Sequence, residues 1–237
     1  MKESLPKEKR RPIDYSRMIP FTWIKHLGKY KAVLGFIFAF ALVQLAGQVM
    51  PTTWSFFTME RYGWNKLEVG ISLMVVGLLV SIVQAVLTGV VVKKYGNRKV
   101  IIAGFVLWTF GMLAIVFADT TFWLYIATLP YLLGGIAGPT VQGMVSNQVS
   151  EKEQGNLQGV LTSLASLSAI IAPVIFTTLF AEFTNKENAY YIPGAPFAAG
   201  ALILVAATFV VIRALKYLNP EEDQTVVDQP LEEFEIE

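Results

Sequence analysis

The sequence contains no cysteine and only one histidine, and both scarcities narrow its possible chemistry. Without cysteine, the chain can form neither disulfide bonds nor thiolate metal sites. A zinc site needs several histidine or cysteine ligands, and His26 stands alone in a basic stretch near the N-terminus. The chain also lacks a P-loop glycine pattern and paired aspartates in its apolar stretches, so ATP hydrolysis and intramembrane proteolysis are not expected. We therefore expect no enzymatic activity, no metal, no cofactor and no nucleic-acid partner.

Charge is scarce as well: 16% of the 237 residues are charged, whereas a soluble domain carries about a quarter. Six stretches hold no Asp, Glu, His, Lys or Arg, namely residues 32–59, 69–92, 100–118, 120–150, 154–181 and 188–212. About 20 apolar residues cross a bilayer core as a helix, and each stretch is long enough. A soluble helix needs a polar face, which most of these stretches lack. The sequence therefore predicts an all-α membrane protein with six transmembrane helices within residues 32–215.

Basic residues are distributed unevenly between the two ends of these spans. Nine Lys and Arg lie in residues 1–31 and four in the loop 93–99, and sixteen of the nineteen fall on the side that holds both termini. Because Lys and Arg favour the cytoplasmic side, both termini are expected in the cytoplasm. Residues 1–31 form a basic cytoplasmic segment in this interpretation. Residues 216–237 form an acidic tail that we expect to be disordered.

A few polar side chains recur at helical spacing within the apolar stretches. Polar groups are costly in hydrocarbon, so we expect them to face other helices or a water-filled path. Pro51 predicts a kink or an unwound turn in the first span, and the run GGIAGP at 134–139 predicts close helix packing or a hinge. Interhelical hydrogen bonding is the alternative role for single serines and threonines. The candidates for a solute path are Gln44, Gln48, Gln84, Gln142, Asn156 and Ser163.

Three runs carry a family resemblance: QLAGQV at 44–49, GGIAGP at 134–139 and QGNLQG at 154–159. With Trp54, Arg61 and the run GISL at 70–73, they resemble the seventh, eighth, tenth and eleventh spans of tetracycline-resistance exporters of the major facilitator superfamily. The resemblance covers roughly residues 6–215. It implies twelve spans in two halves, each made of two inverted three-helix repeats, with this chain similar to the C-terminal half. It further implies a bacterial inner-membrane location and a partner, either an N-terminal six-span half or a second copy.

The resemblance extends to a loop motif of the superfamily that is associated with gating. Its matching residues here are Gly89, Gly96, Arg98 and Lys99. The chain departs from the family at three positions. Lys93 stands where the loop motif has an acid, Trp108 where tetracycline exporters carry an aspartate, and Val80 where many carry a histidine. The family's drug and proton specificity therefore does not transfer to this chain.

The function expected from residues and resemblance together is transport of a small amphipathic solute or drug, by the C-terminal half of a proton-coupled efflux transporter. No span interior carries an ionisable group that could titrate along a path. Proton coupling therefore needs groups outside this chain, or is absent. The alternative is a truncated or non-transporting six-span membrane subunit. A channel would need a ring of charges or a carbonyl filter, and neither is evident.

Overall fold

The computed structural model describes residues 31–149, 153–188 and 190–217, and this part of the chain is helical with short connections. In chain order the elements are α1 (Lys31–Gly47), α2 (Val49–Tyr62), α3 (Lys66–Ile82), a π-helical segment (Val83–Leu87), α4 (Thr88–Tyr95), α5 (Asn97–Phe117), α6 (Thr121–Gly134), α7 (Ala137–Ser146), α8 (Gln154–Thr184) and α9 (Ala195–Leu215). The predicted basic segment, except Lys31, and the acidic tail from residue 218 lie outside the described residues.

These elements make six helices that are long and apolar enough to cross a membrane. We number them spans 1 to 6: Ala32–Tyr62, Lys66–Tyr95, Asn97–Phe117, Thr121–Ser146, Gln154–Thr184 and Ala195–Leu215. The prediction of six transmembrane helices is confirmed. The end of the bundle that carries the loop 93–99 is called the basic end below.

Spans 3 and 6 lie at the centre of the packing. Span 3 packs along spans 4 and 6, and span 6 packs along span 1. These packed pairs are symmetric when spans 1, 2 and 3 are matched in order with spans 4, 5 and 6. The packing of span 1 on span 6 then corresponds to the packing of span 4 on span 3, and the contact between spans 3 and 6 corresponds to itself. Successive spans run in alternate directions, so the second set of three is inverted relative to the first. The bundle therefore consists of two inverted three-helix repeats.

Span 1 is interrupted in its middle, as Pro51 predicts. α1 ends at Gly47 and α2 begins at Val49, so the break falls at Gln48. Proline has no backbone N–H, and Pro51 therefore cannot donate to the carbonyl four residues earlier. The helical ladder resumes with the N–H of Thr52, which donates to the carbonyl of Gln48 at 3.1 Å.

Spans 3 and 4 approach each other so closely that glycine is required between them. A Cβ placed on Gly111 would lie 2.3 Å from the backbone nitrogen of Tyr131. One placed on Gly134 would lie 2.4 Å from the backbone nitrogen of Trp108. Small residues permit such close approach of membrane helices. The glycine run at 134–139 thus serves close packing, and it also contains the break between α6 and α7.

Spans 2 and 5 are packed much more loosely than spans 3 and 4. In α3, only Val69, Ser72 and Val76 are buried, and neither the π-helical segment nor α4 buries any residue. A hydrogen bond of 2.9 Å from Trp54 Nε1 to Ser72 Oγ joins span 1 to span 2. Large parts of spans 2 and 5 are therefore available to lipid, water or another protein.

The exposed faces of the spans differ in chemistry. Between their ends, spans 3 and 6 expose only apolar side chains, for example Phe110 and Phe209, with 62% and 69% of their surface accessible. Span 5 instead exposes a series of small polar residues, and span 2 exposes an amide and a serine. Lipid tails solvate apolar side chains but offer polar ones no hydrogen-bond partner. Spans 3 and 6 are therefore better suited than span 5 to face lipid.

Polar contacts tie spans 1 and 3 together at the end opposite the basic end. Arg61 Nε donates to the carbonyl of Ala118 at 3.1 Å, and its guanidinium contacts Asp119 Oδ1 at 2.7 Å. The hydroxyl of Tyr62 donates to the same carbonyl at 2.7 Å. Ala118 is the residue after the last turn of α5, so these donors satisfy an acceptor that the helix end leaves free.

Candidate functional site

The candidate path begins at the break in span 1, where Gln44 and Gln48 lie one helical turn apart. Both side chains are half-buried, and neither makes a side-chain hydrogen bond within the described residues. Gly47 lies on the same side of the helix, and a Cβ there would be 3.6 Å from the indole of Trp108. Trp108 Nε1 is buried and makes no hydrogen bond of good geometry within the described part of the chain, although the hydroxyl of Tyr131 lies within reach of it. Three neighbouring positions thus present unused hydrogen-bonding groups, which we call the central polar group (Gln44, Gln48 and Trp108).

Unused donors and acceptors are expensive in a bilayer. An amide taken out of water without a partner costs roughly 1–3 kcal/mol, judged from protein mutations. Native structures avoid this cost by pairing such groups with protein, water or ligand. We therefore expect water or a solute beside span 1, where it would pair with the central polar group. Sequence reasoning treated Trp108 only as a departure from the family and missed this role for its N–H.

Trp108 packs tightly in the interior of the bundle. Its ring packs edge-on against Tyr131, with ring centroids 5.9 Å apart, and its backbone lies under Gly134. The side chain fills the space between spans 1, 3 and 4. Val80, at the other departing position, is partly buried in the loosely packed span 2 and packs against the core.

Three other candidates lie away from the central polar group. Gln84 is an exposed residue of the π-helical segment in span 2. Asn156 and Ser163 are exposed in span 5, two turns apart on one face. That face is turned away from the buried stripe of span 5, which includes Leu157 and Leu161. Gln84 and Asn156 make no side-chain hydrogen bond within the described residues, and Ser163 Oγ donates to its own helix, to the carbonyl of Gly159, at 2.8 Å.

The sixth candidate, Gln142, belongs to a group of polar residues where span 4 meets span 5. Gln142 Nε2 donates to Gln158 Oε1 at 3.2 Å, and Gln158 Nε2 donates to Ser146 Oγ at 3.2 Å. Gln154 Nε2 reaches the carbonyl of Ser146 at 3.4 Å. We call these residues the amide cluster (Gln142, Ser146, Gln154 and Gln158). Sequence reasoning overlooked Gln154 and Gln158 as site residues, although two amides four residues apart on one helix were a visible signal.

The loop-motif residues occupy the basic end between spans 2 and 3. Gly96 has φ +77°, a conformation that favours glycine. It is the single residue between the end of α4 and the start of α5. Gly89 is exposed in α4, with no atom within 4 Å of a Cβ built on it. Arg98 is partly buried in the first turn of α5, whereas Lys99 is exposed.

In the part of the chain that the structure describes, a helical bundle of two inverted repeats has polar groups without a partner at a broken helix. This arrangement defines a multi-pass membrane protein of the transporter class. The chain belongs to the Major Facilitator Superfamily, which matches it over residues 8–234. The resemblance to tetracycline-resistance exporters is likewise confirmed by individual relatives.

The tetracycline resistance protein of class C from Escherichia coli is 33% identical over 182 residues, which are 77% of this chain and 46% of that protein. The class E protein from Escherichia coli is 34% identical over 172 residues, which are 72% of this chain and 42% of that protein. Hippocampus abundant transcript-like protein 1 from Homo sapiens is 24% identical over 238 residues, covering 91% of this chain and 46% of that protein. The chain thus spans about half the length of the curated relatives it matches.

Proposed function

We propose that this chain moves a small amphipathic or drug-like solute across a bacterial inner membrane, as the C-terminal half of an efflux transporter. Residues 32–215 would form the transport domain, with the basic segment 1–31 leading from the other half. The observation that carries the proposal is the central polar group, whose amides and indole N–H make no hydrogen bond within the described residues beside a broken helix. A solute with both polar and apolar parts would pair with these groups while contacting the surrounding apolar walls.

The partner in this proposal is a second six-span unit that packs against spans 2 and 5. The outward face of span 5 carries Asn156, Thr162, Ser163 and Ser166, and this face points away from the bundle's own core. Hydrocarbon offers such side chains no hydrogen-bond partner, whereas a protein surface or a water-filled path does. An N-terminal half encoded together with this chain or separately, or a second copy of it, would supply that surface.

Proton coupling, if the transporter uses it, is assigned to the partner. The middle of each described span lacks Asp, Glu, His, Lys and Arg, so no titrating group lies along the proposed path. The proposed orientation places the basic end and both termini in the cytoplasm, because Lys and Arg concentrate there. A transporter oriented in this way would expel its solute from the Arg61 side of the bundle.

The natural absence of cysteine makes a direct test simple. Single-cysteine variants Gln44→Cys and Gln48→Cys should react with a membrane-impermeant thiol reagent, because both positions would face the water-filled path. Phe209→Cys is the matched control, since Phe209 is exposed on the apolar face of span 6 and should react slowly. Slow labelling of all three positions would place positions 44 and 48 in lipid or protein and would contradict the proposed path.

Transport itself is tested by solute accumulation in cells. Cells that express this chain together with a candidate N-terminal half should accumulate less of a fluorescent amphipathic drug than cells that express either alone. Gln48→Leu in the same pair should restore accumulation, whereas Phe209→Leu should not. Unchanged accumulation with both proteins present in the membrane would favour the alternative, a non-transporting six-span subunit.

A further inference from the structure

A pocket of about 360 Å³ lies at the basic end of the bundle, between span 2 on one side and spans 3 and 4 on the other. We call it the lateral pocket. Its size falls within the range of roughly 300–1,000 Å³ that is usual for small-molecule sites. The side chains on its walls include Leu87, Val91, Ala103, Leu107, Leu133 and Ile136. None of the residues assigned to the solute path lines it, so it is a separate site.

The pocket exists because its two walls are packed to different degrees, tightly in spans 3 and 4 and loosely in span 2. Gly104, on its wall, lies so close to span 4 that an added Cβ would be 2.8 Å from Ala137 Cβ, which makes spans 3 and 4 one continuous surface. Facing this surface, α4 buries none of its residues, and the π-helical segment ends at Leu87 on the opposite wall. The gap is therefore a consequence of tight packing on one side and loose packing on the other.

The walls favour an apolar occupant. Ala103, Leu107 and Leu133 are exposed although they line the pocket, and they belong to the membrane-spanning part of the bundle. A lipid acyl chain is the apolar molecule available there at highest concentration. Lipid tails are about as apolar as leucine, however, so burial of a tail alone cannot select one lipid over another. Any selectivity must come from the head group.

Two lysines supply a head-group contact at the rim. Lys99 lines the pocket beside Tyr95, and it makes no ion pair or hydrogen bond within the described residues. The ammonium of Lys94 lies over the ring of Tyr95, 5.3 Å from its centroid, which holds a second positive charge at the same rim. The loop 93–99 contains no acidic residue. Unneutralised lysines beside an apolar pocket at a membrane boundary are complementary to the phosphate and tail of an anionic phospholipid.

We propose that the lateral pocket binds one acyl chain of an anionic phospholipid, whose phosphate is held by Lys99 and Lys94. The site is distinct from the solute path and does not depend on the proposed transport function. It would fix span 2 against spans 3 and 4, because the tail fills the gap between them. An anionic lipid is favoured over a zwitterionic one because Lys94 and Lys99, the charged residues described at the rim, are both positive.

The test compares lipids with identical tails and different head groups. The purified full chain is titrated with dioleoyl phosphatidylglycerol or dioleoyl phosphatidylcholine, and bound lipid is counted by native mass spectrometry. We expect one tightly held phosphatidylglycerol and weaker retention of phosphatidylcholine. Lys99→Gln should weaken phosphatidylglycerol binding about fivefold, and Lys94→Gln with Lys99→Gln about 25-fold, at about 1 kcal/mol per basic residue. Lys186→Gln, at an exposed lysine of the opposite end, should leave the affinity unchanged.

A second pair of variants separates the pocket from simple surface charge. Ala103→Phe places a ring in the pocket and should abolish the tight site with both lysines present. Ala206→Phe, at an exposed alanine of span 6, should have no effect on it. Equal retention of the two lipids would overturn the proposal, as would unchanged phosphatidylglycerol binding in Ala103→Phe. Displacement of the bound lipid by glycerol 3-phosphate at the same concentration would also overturn it, because the phosphate alone would then suffice.

Discussion

The pair of spans 3 and 4 differs from the pair of spans 2 and 5 in how much of its surface is buried within the bundle. Spans 3 and 4 meet backbone to backbone through Gly111 and Gly134, whereas spans 2 and 5 leave most of their side chains exposed. In water, such exposure alone would indicate a missing partner, but in a bilayer lipid covers apolar surface without penalty. The informative feature is therefore the polarity of what is exposed. By that criterion, spans 3 and 4 provide the rigid support, whereas spans 2 and 5 expose polar side chains such as Gln84 and Asn156 that lipid cannot pair.

The largest effect is expected from breaking the tight contact between spans 3 and 4. In Gly111→Ala, the added methyl group would meet the backbone nitrogen and Cα of Tyr131, neither of which can move independently. We expect a loss of at least about 1–3 kcal/mol, measured as a lower melting temperature in detergent. The matched control is Gly77→Ala in loosely packed span 2, where no atom lies within 4 Å of the added methyl group. Equal destabilisation by both substitutions would remove the distinction between tight and loose spans.

A smaller effect is expected where the loose span 2 is joined to span 1. Ser72→Ala would leave the buried indole N–H of Trp54 without its acceptor at 2.9 Å. We expect a loss of about 1 kcal/mol and faster hydrogen exchange in α3. Ser81→Ala serves as the control, because Ser81 is exposed and its hydroxyl donates only to the carbonyl of Gly77 in its own helix. An unchanged exchange rate in Ser72→Ala would show that other contacts hold span 2.

The contact between spans 4 and 5 is expected to contribute less still. Gln158→Leu removes the bonds to Gln142 and Ser146, which are exposed in part and open to competing water. Interhelical hydrogen bonds in membranes average about 0.6 kcal/mol, so the melting temperature should fall only slightly. Thr162→Leu, on the outward face of the same span, adds apolar bulk without breaking a hydrogen bond between described residues. If both variants melt alike, the amide cluster does not stabilise the contact between the spans.

The smallest effect concerns a tyrosine at the end opposite the basic end. The hydroxyl of Tyr191 donates to Glu60 Oε1 at 2.7 Å, and this bond, with burial as a lesser cause, raises the pKa of Tyr191 above 10. The bond needs the protonated phenol, so its contribution is complete below pH 10 and is lost as the pH rises through the raised pKa. In Glu60→Gln, the pKa of Tyr191 should fall towards 10. The measurement is phenolate absorbance during a pH titration, with the absorbance of Tyr191→Phe subtracted, both in the original protein and in Glu60→Gln. An identical titration curve for Tyr191 in the two proteins would contradict this assignment.

The sequence predicted the spans well because bilayer thickness sets a length that composition reveals directly. It also predicted the break near Pro51, since proline removes a backbone donor wherever it stands. The uncharged stretch 69–92 did not mark the start of span 2, because the first turn of that helix contains Lys66 and Glu68. Asn65 accepts from the N–H groups of Leu67 and Glu68, and Glu68 accepts in return from the N–H of Asn65, so the capping pattern Asn-x-x-Glu marked the helix start at Lys66.

The arrangement of the candidate site was harder to predict. In a soluble helix the polar face identifies the outside, but a span that is apolar on all sides gives no such signal. The sequence could therefore place Asn156 and Ser163 on one stripe without indicating that this stripe points away from the bundle's own core. The π-helical segment at Val83–Leu87 was also unforeseen, because no proline or glycine marks it.

The interruption at Gln48 divides span 1 into two segments that pack on spans 5 and 6 in different proportions. α1 lies against span 6, where Gly35 approaches Ala214 so closely that an added Cβ would be 2.7 Å from Ala214 Cβ, whereas α2 packs mainly on span 5. A continuous helix would transmit a tilt at one membrane surface to the other. In the interrupted span, Pro51 removes part of the backbone hydrogen bonding that would hold α1 and α2 in line, and a molecule bound at Gln48 would contact both segments.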